Sequence, residues 1–299
     1  MKLLAPAAVA LASVAGAGAQ PTSSFVPVRV DRAYEAYPVA GSGYLAWARL
    51  RRNGVGFDAF VARGRRRAIR VNRPGTFGIP GGIDGGRLAY VQWNIPGGWA
   101  LLIRDLRTGK RRVVAFTDNT HCLFQSFDPP SISGNLVLYS SHSFAGSSCV
   151  SLYWLSTGRD VVLDRGGAFG PRVTADEVDG RYAVWTRCDR DGCRVHRYDI
   201  TTRMTTVIPV DAQPSGASVS RSGTVYLVRQ RSPYPQCDSS LVRVPPGGAP
   251  QELGAPGEHL GIGSTYAVSS HDRTIVYFDD GRCSDPEDAD IYAYVDGAG

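Results

Sequence analysis

Asp179-Gly180-Arg181-Tyr182-Ala183-Val184-Trp185 reads as a tight turn followed by a short, continuously apolar strand. Four apolar residues bounded by turn signals are too few for a buried helix and fit a strand covered on both faces. The run recurs as Tyr44-Leu-Ala-Trp47, Leu88-Ala-Tyr-Val91, Leu136-Val-Leu-Tyr139, Val225-Tyr-Leu-Val228 and Thr274-Ile-Val-Tyr277. The six runs end at 47, 91, 139, 185, 228 and 277, so successive copies lie 44, 48, 46, 43 and 49 residues apart. Turn signals precede most of them, as in Asp84-Gly85-Gly86 and Gly134-Asn135.

A second β-type segment follows each run after a polar loop, for example Leu101-Leu-Ile-Arg-Asp-Leu106 and Val195-His-Arg-Tyr-Asp-Ile200. Turns such as Thr108-Gly109 and Thr157-Gly158 then lead into a shorter polar–apolar strand, as in Arg159-Asp-Val-Val-Leu163. With the segment before each run, this makes four strands per repeat, here called A to D. Four-stranded repeats of this length are the blades of a β-propeller. The expected fold is therefore all-β: a six-bladed β-propeller of four-stranded antiparallel blades. A β-sandwich would not explain six evenly spaced copies. The last repeat stops after its C strand, and Ser24-Phe-Val-Pro-Val-Arg-Val30 precedes the first A strand without a repeat of its own. The N-terminal segment is thus expected to close the last blade and remove an open sheet edge.

The start, Met1-Lys2-Leu3 through Ala17-Gly18-Ala19, has a positive residue, an apolar stretch and a small-residue cleavage site. It reads as a signal peptide over residues 1–19, cleaved near Ala19, leaving one propeller domain over residues 20–299. The expected location is secreted or periplasmic, with no transmembrane segment. In an oxidising compartment an even six cysteines point to disulfides. Cys188 and Cys193 flank a tight B–C hairpin and should face each other. Strand order then suggests Cys122 with Cys149, and Cys237 with Cys283, among 15 possible connectivities.

Ser270-His271-Asp272-Arg273, Ile275-Val-Tyr277 and Asp290-Ile291-Tyr292 through Asp296-Gly297 resemble the repeat unit of the TolB-like six-bladed propellers with WD40-like repeats. Ser218 to Gly223 and Asp176 to Gly180 are looser copies, and the resemblance spans about residues 33–299. It implies a binding or protein-interaction scaffold, as in the namesake periplasmic family. Peptidases carrying such propellers also need an α/β-hydrolase domain, for which the repeats leave no room.

In a propeller the loops before strand A and between strands B and C share one face, and all six cysteines fall there or beside it. Phe77, Phe127 and Phe169 recur just before A strands. They either ring the channel mouth as a binding face or pack between blades, with packing the favoured reading. His121, His142 and His259 fall near the same face and admit a transition-metal reading. Unrelated loop histidines are the simpler account. Asp285, Glu287 and Asp288 sit in an acidic loop that admits Ca²⁺, although a solvated loop explains it as well. No cofactor is otherwise expected.

There is no G-x-S-x-G, H-E-x-x-H, P-loop or G-x-G-x-x-G motif. The net charge is +6, and Lys2 and Lys110 are the only lysines among 33 basic residues. The run Arg63-Gly-Arg-Arg-Arg67 with Arg70, Arg73, Arg104, Arg107, Lys110, Arg111 and Arg112 reads as a solvated outer rim, or as a stripe for anionic envelope polymer. No aromatics interleave with it, so nucleic acid is not an expected partner. The sequence thus reads as a non-enzymatic, monomeric scaffold for a protein or cell-envelope partner. The alternatives are a secreted metal-dependent lyase or hydrolase working in the central channel, and a binder of anionic polymer.

Overall fold

A computed structural model describes residues 25–29, 35–64, 66–94, 97–116, 126–143, 145–209, 213–230, 239–253, 268–271, 274–279 and 290–295. Every regular element among them is a strand, and no helix there is long and apolar enough to cross a membrane.

Strand β1 (Phe25–Arg29) precedes the first blade, which is formed by β2 (Glu35–Gly41), β3 (Tyr44–Leu50), β4 (Phe57–Arg63) and β5 (Ile69–Arg70). The second blade is β6 (Phe77–Asp84), β7 (Arg87–Asn94), β8 (Gly98–Asp105) and β9 (Arg111–Phe116). In the third, the inner strand is split into β10 (Ser126–Phe127) and β11 (Ser131–Ser133), both paired with β12 (Leu136–His142), followed by β13 (Ser148–Trp154) and β14 (Asp160–Gly166). The fourth is β15 (Arg172–Asp179), β16 (Tyr182–Asp189), β17 (Gly192–Asp199) and β18 (Met204–Ile208). The fifth is β19 (Gln213–Val219), β20 (Val225–Gln230), β21 (Ser239–Val244) and β22 (Gln251–Glu252).

All pairings are antiparallel, so the fold is an all-β propeller with four-stranded antiparallel blades. Side chains are described in five blades, one fewer than the six copies in the sequence predict. From the last repeat come the backbone ladders of β23 (Val268–His271), β24 (Thr274–Asp279) and β25 (Asp290–Val295), with β1 paired to β25.

The second strand of each of these blades carries an unbroken run of four apolar residues because both of its faces are covered there. Leu88, Ala89, Tyr90 and Val91 are completely buried, as are Val225 and Leu227. The core lies in layers between blades. Val39, Ala46 and Val61 of the first blade pack on Ile83, Leu88 and Tyr90 of the second. Val137 and Tyr139 meet Val91 and Leu101, and Val184 and Val195 meet Leu227 and Val242. Each large side chain so buried contributes about 1.5–3 kcal/mol, which makes the inter-blade seams the main source of stability.

Inner strands β2, β6, β11, β15 and β19 lie side by side in sequence order. They approach so closely that a Cβ on Gly81 would fall 2.0 Å from the Pro130 carbonyl oxygen, so only glycine fits there. Four of them, β2, β6, β15 and β19, carry a register shift, at 36/39, 80/82, 175/177 and 214/217, and in the third blade the break between β10 and β11 takes its place. A bulge at this point turns one residue out of the ladder.

Part of the basic run is engaged by the fold, while Arg63, Arg66, Arg67, Arg73, Arg107 and Lys110 are exposed, as a solvated rim requires. Arg104 and Arg111 of the second blade donate to the Val71 carbonyl at 2.7 and 2.8 Å, and Arg112 reaches Leu155 O of the third at 2.7 Å. Arg70 pairs with Asp58 at 2.8 Å. Arg104, Arg111 and Arg112 thus tie neighbouring blades together, while the Arg70–Asp58 pair lies within the first blade.

Candidate functional site

The Cys188–Cys193 disulfide closes the β16–β17 hairpin, with Cα atoms 3.9 Å apart. The hairpin is short because Asp189 pairs with Gly192, and the Asp189 side chain accepts the Asp191 N–H at 2.9 Å. Cys149 is also disulfide-bonded, and no described cysteine is free. Cys122, Cys237 and Cys283 lie outside the described residues, as do His121, His259, Asp285, Glu287 and Asp288. Among the described residues no three His, Cys, Asp or Glu side chains gather in a group able to hold a metal ion.

The three phenylalanines part company. Phe77 stacks on Trp93, ring centroids 5.0 Å apart, under the Arg51 guanidinium at 4.4 Å. Phe127 is 4% exposed and meets Tyr139 edge-on at 6.0 Å. These two pack against aromatic neighbours of their own blades, Phe127 within the core and Phe77 partly buried. Phe169 is 98% exposed. It sits on a tight turn closed by the Gly170 N–H donating to Gly167 O at 3.2 Å. The chain runs from there into Arg172, which pairs with Cys188. A Cβ on Gly146 would meet the Ala168 carbonyl at 3.0 Å, so the turn also rests on the third blade's B–C loop. Phe169 is therefore presented on the disulfide-bearing end.

Just inside that end, the third and fourth blades bring polar groups together. The Asp128 carboxylate, in the gap between β10 and β11, accepts the Ser140 hydroxyl at 2.6 Å and contacts His142 Nε2 through the same oxygen. Ser140 and His142 stand two apart on β12, so both lie on one face of the strand. Asp176 occupies the bulge of β15, where Thr186 Oγ1 donates to its Oδ2 at 2.8 Å. The residue as a whole keeps some accessible surface, but its carboxyl group is packed round by protein. Burial pushes that carboxyl up to about 8, and the charge of Asp128 adds to the rise. Hydrogen bonds from Thr186 and the Ala217 backbone oppose it.

At neutral pH the cluster therefore sets a protonated Asp176 carboxyl near the Asp128–His142 couple. It can exchange a proton near neutrality and offers hydroxyl, carboxyl and imidazole hydrogen bonds. Ser140 donates to Asp128, and His142 also meets Asp128, so no imidazole stands between serine and carboxylate as acyl transfer to serine requires. His196, stacked on Trp185 at 5.4 Å, is held neutral by burial and lies on the opposite strand face.

No protein-family model matches the sequence, and no curated protein does. Solved structures do resemble the fold. TolB from Acinetobacter baumannii superposes with a TM-score of 0.57 at 17% identity, over 86% of this chain and 65% of that one. This chain thus spans just under two thirds of that protein. Putative TolB from Agrobacterium tumefaciens gives 0.58 at 15% identity, over 91% and 90%. An oligogalacturonate lyase in complex with manganese gives 0.51 at 11% identity, over 91% and 97%. Peptidases are among the similar structures as well. At these identities the likeness establishes a β-propeller and leaves its activity open.

Proposed function

We propose that this chain is an exported, TolB-like propeller acting as a non-enzymatic binding scaffold. In this reading six blades close into a ring, β1 serving as the outer strand of the last. The disulfide-bearing end is presented to a protein or cell-envelope partner. The observation that carries it is Phe169, almost fully exposed on a turn anchored beside Cys188. An aromatic ring left in water has lost no burial energy to the fold and gains it on contact with a partner, which is why such rings anchor interfaces. The likeness to two TolB structures supports the same reading.

Affinity capture from the native envelope tests it, with mature protein and a Phe169→Ala variant as paired baits. A partner retained by the first and lost by the second is expected. Equal recovery on both baits would overturn the role of this face.

A channel enzyme is the second reading, favoured by the Asp128–His142 couple beside a protonated Asp176. Removing His142 would then abolish a turnover that Phe169→Ala leaves intact. If neither variant changes any measurable turnover, the enzyme reading fails.

A further inference from the structure

The end of the propeller opposite the disulfide carries a second concave site. There the A–B turns are stitched together across blades. Gly134 N donates to Asp84 Oδ2 at 2.6 Å, and Arg87 Nη2 donates to the Gly134 carbonyl at 2.5 Å. Ser133 Oγ donates to Asp179 Oδ1 at 3.1 Å and accepts the Gly180 N–H at 2.9 Å. Arg221, from the fifth blade, donates through Nε to Asp179 at 3.2 Å, with Nη2 3.9 Å from Asp84. Charges from the second, fourth and fifth blades thus meet, which fixes the turns relative to one another.

Beside this network lies an open depression of about 510 Å³. Its apolar wall is Leu136, Trp154 and Ile200, and its polar edge is Asp84, Asn135 and Arg221. The three apolar side chains fringe the core between the third and fourth blades and remain only half-buried. The depression is shallow and open to solvent, and the turns that frame it are already ordered by the network above. A pre-formed apolar depression spares a ligand the cost of ordering its host.

The charge at its edge chooses the ligand. The Asp84 and Asp179 side chains are turned inward, 16% and 13% exposed, and are held by backbone N–H, serine and arginine. Arg221 is 63% exposed, and the Arg159 guanidinium lies 5.1 Å over the Trp154 ring. Asp84 reaches the edge but is mostly covered and already bonded, so the more exposed charge there is the Arg221 guanidinium, which pairs with Asp179 through Nε. We propose that this depression binds a small amphipathic anion, its flat apolar body against Leu136, Trp154 and Ile200 and its carboxylate or sulfonate on Arg221. The site is independent of the Phe169 face and stands whether or not that face binds a partner.

The test uses the mature protein with 8-anilinonaphthalene-1-sulfonate, an aromatic anion, and its uncharged relative N-phenyl-1-naphthylamine. One saturable site for the anion is expected, with energy transfer from tryptophan that Trp154→Phe weakens more than Trp93→Phe does, without removing binding. Arg221→Gln should weaken the anion about tenfold, the scale of one hydrogen bond to a charged group. It should leave the neutral probe unchanged. Ile200→Ser keeps every ion pair and should weaken both probes, so it decides the matter if Arg221→Gln fails to fold. No saturable binding, equal affinity for the two probes, or transfer weakened no more by Trp154→Phe than by Trp93→Phe would overturn the proposal.

Discussion

Thr186 donates its hydroxyl to the Asp176 carboxyl at 2.8 Å across two strands of the fourth blade, at the one place where β15 leaves its register. A carboxyl so placed is pushed up to about 8 by burial, with Asp128 adding to the shift. The folded protein then holds a proton that the unfolded chain releases near pH 4. Its contribution to stability is complete below about pH 4 and is lost as pH rises towards 8. Urea midpoints measured from pH 4 to 8 should fall with pH, and Asp176→Asn should flatten this dependence. An unchanged slope in the variant would show that another group titrates.

The Cys188–Cys193 bond closes a very short loop, so its effect on the unfolded chain is small. Replacing both cysteines with serine should cost about 2 kcal/mol, read as a shift of the denaturation midpoint. A near-zero loss would mean that the hairpin is ordered without it.

Arg203 adopts φ +59° at the C–D turn, where the second and third blades have Gly109 and Gly158 at +74° and +71°. Asp199 and Asp105 fold the two turns alike, each side chain accepting two N–H groups of its own turn. Arg203→Gly relieves a left-handed arginine and should stabilise the protein by about 0.5–1 kcal/mol. Gly109→Arg should cost a similar amount. Chemical denaturation with an unchanged m-value checks both.

Gly81→Ala places a methyl group against the Pro130 carbonyl, at a seam between inner strands that cannot part locally. A loss of about 1–3 kcal/mol is expected in thermal or chemical unfolding. Gly43→Ala meets nothing within 4 Å and serves as the comparison, its left-handed φ of +74° costing about 1 kcal/mol.

What the sequence revealed and what it hid divide along physical lines. The B strands were legible because burial on both faces makes a run of four residues apolar, as at Leu88 to Val91. The Cys188–Cys193 pair was legible because a tight hairpin leaves its two flanking residues no other partners. The Asp128–His142–Asp176 cluster was hidden. It joins two blades, and bulges decide which inner-strand residues leave the ladder, without a fixed residue type. The arginine clamps were hidden because backbone carbonyls, their acceptors, leave no mark in a sequence. Phe127 and Phe169 both fall near the start of an inner strand, yet the split inner strand of the third blade buries the former, while the turn at 167–170 lifts the latter into water.

A photo-crosslinking residue at position 169, expressed in the native host, addresses the scaffold reading most directly. Met204, 67% exposed on outer strand β18, is the matching control site. A discrete adduct at 169 and none at 204 is the predicted result. Adducts at both positions alike, or at neither, would contradict a partner-binding role for the disulfide-bearing end.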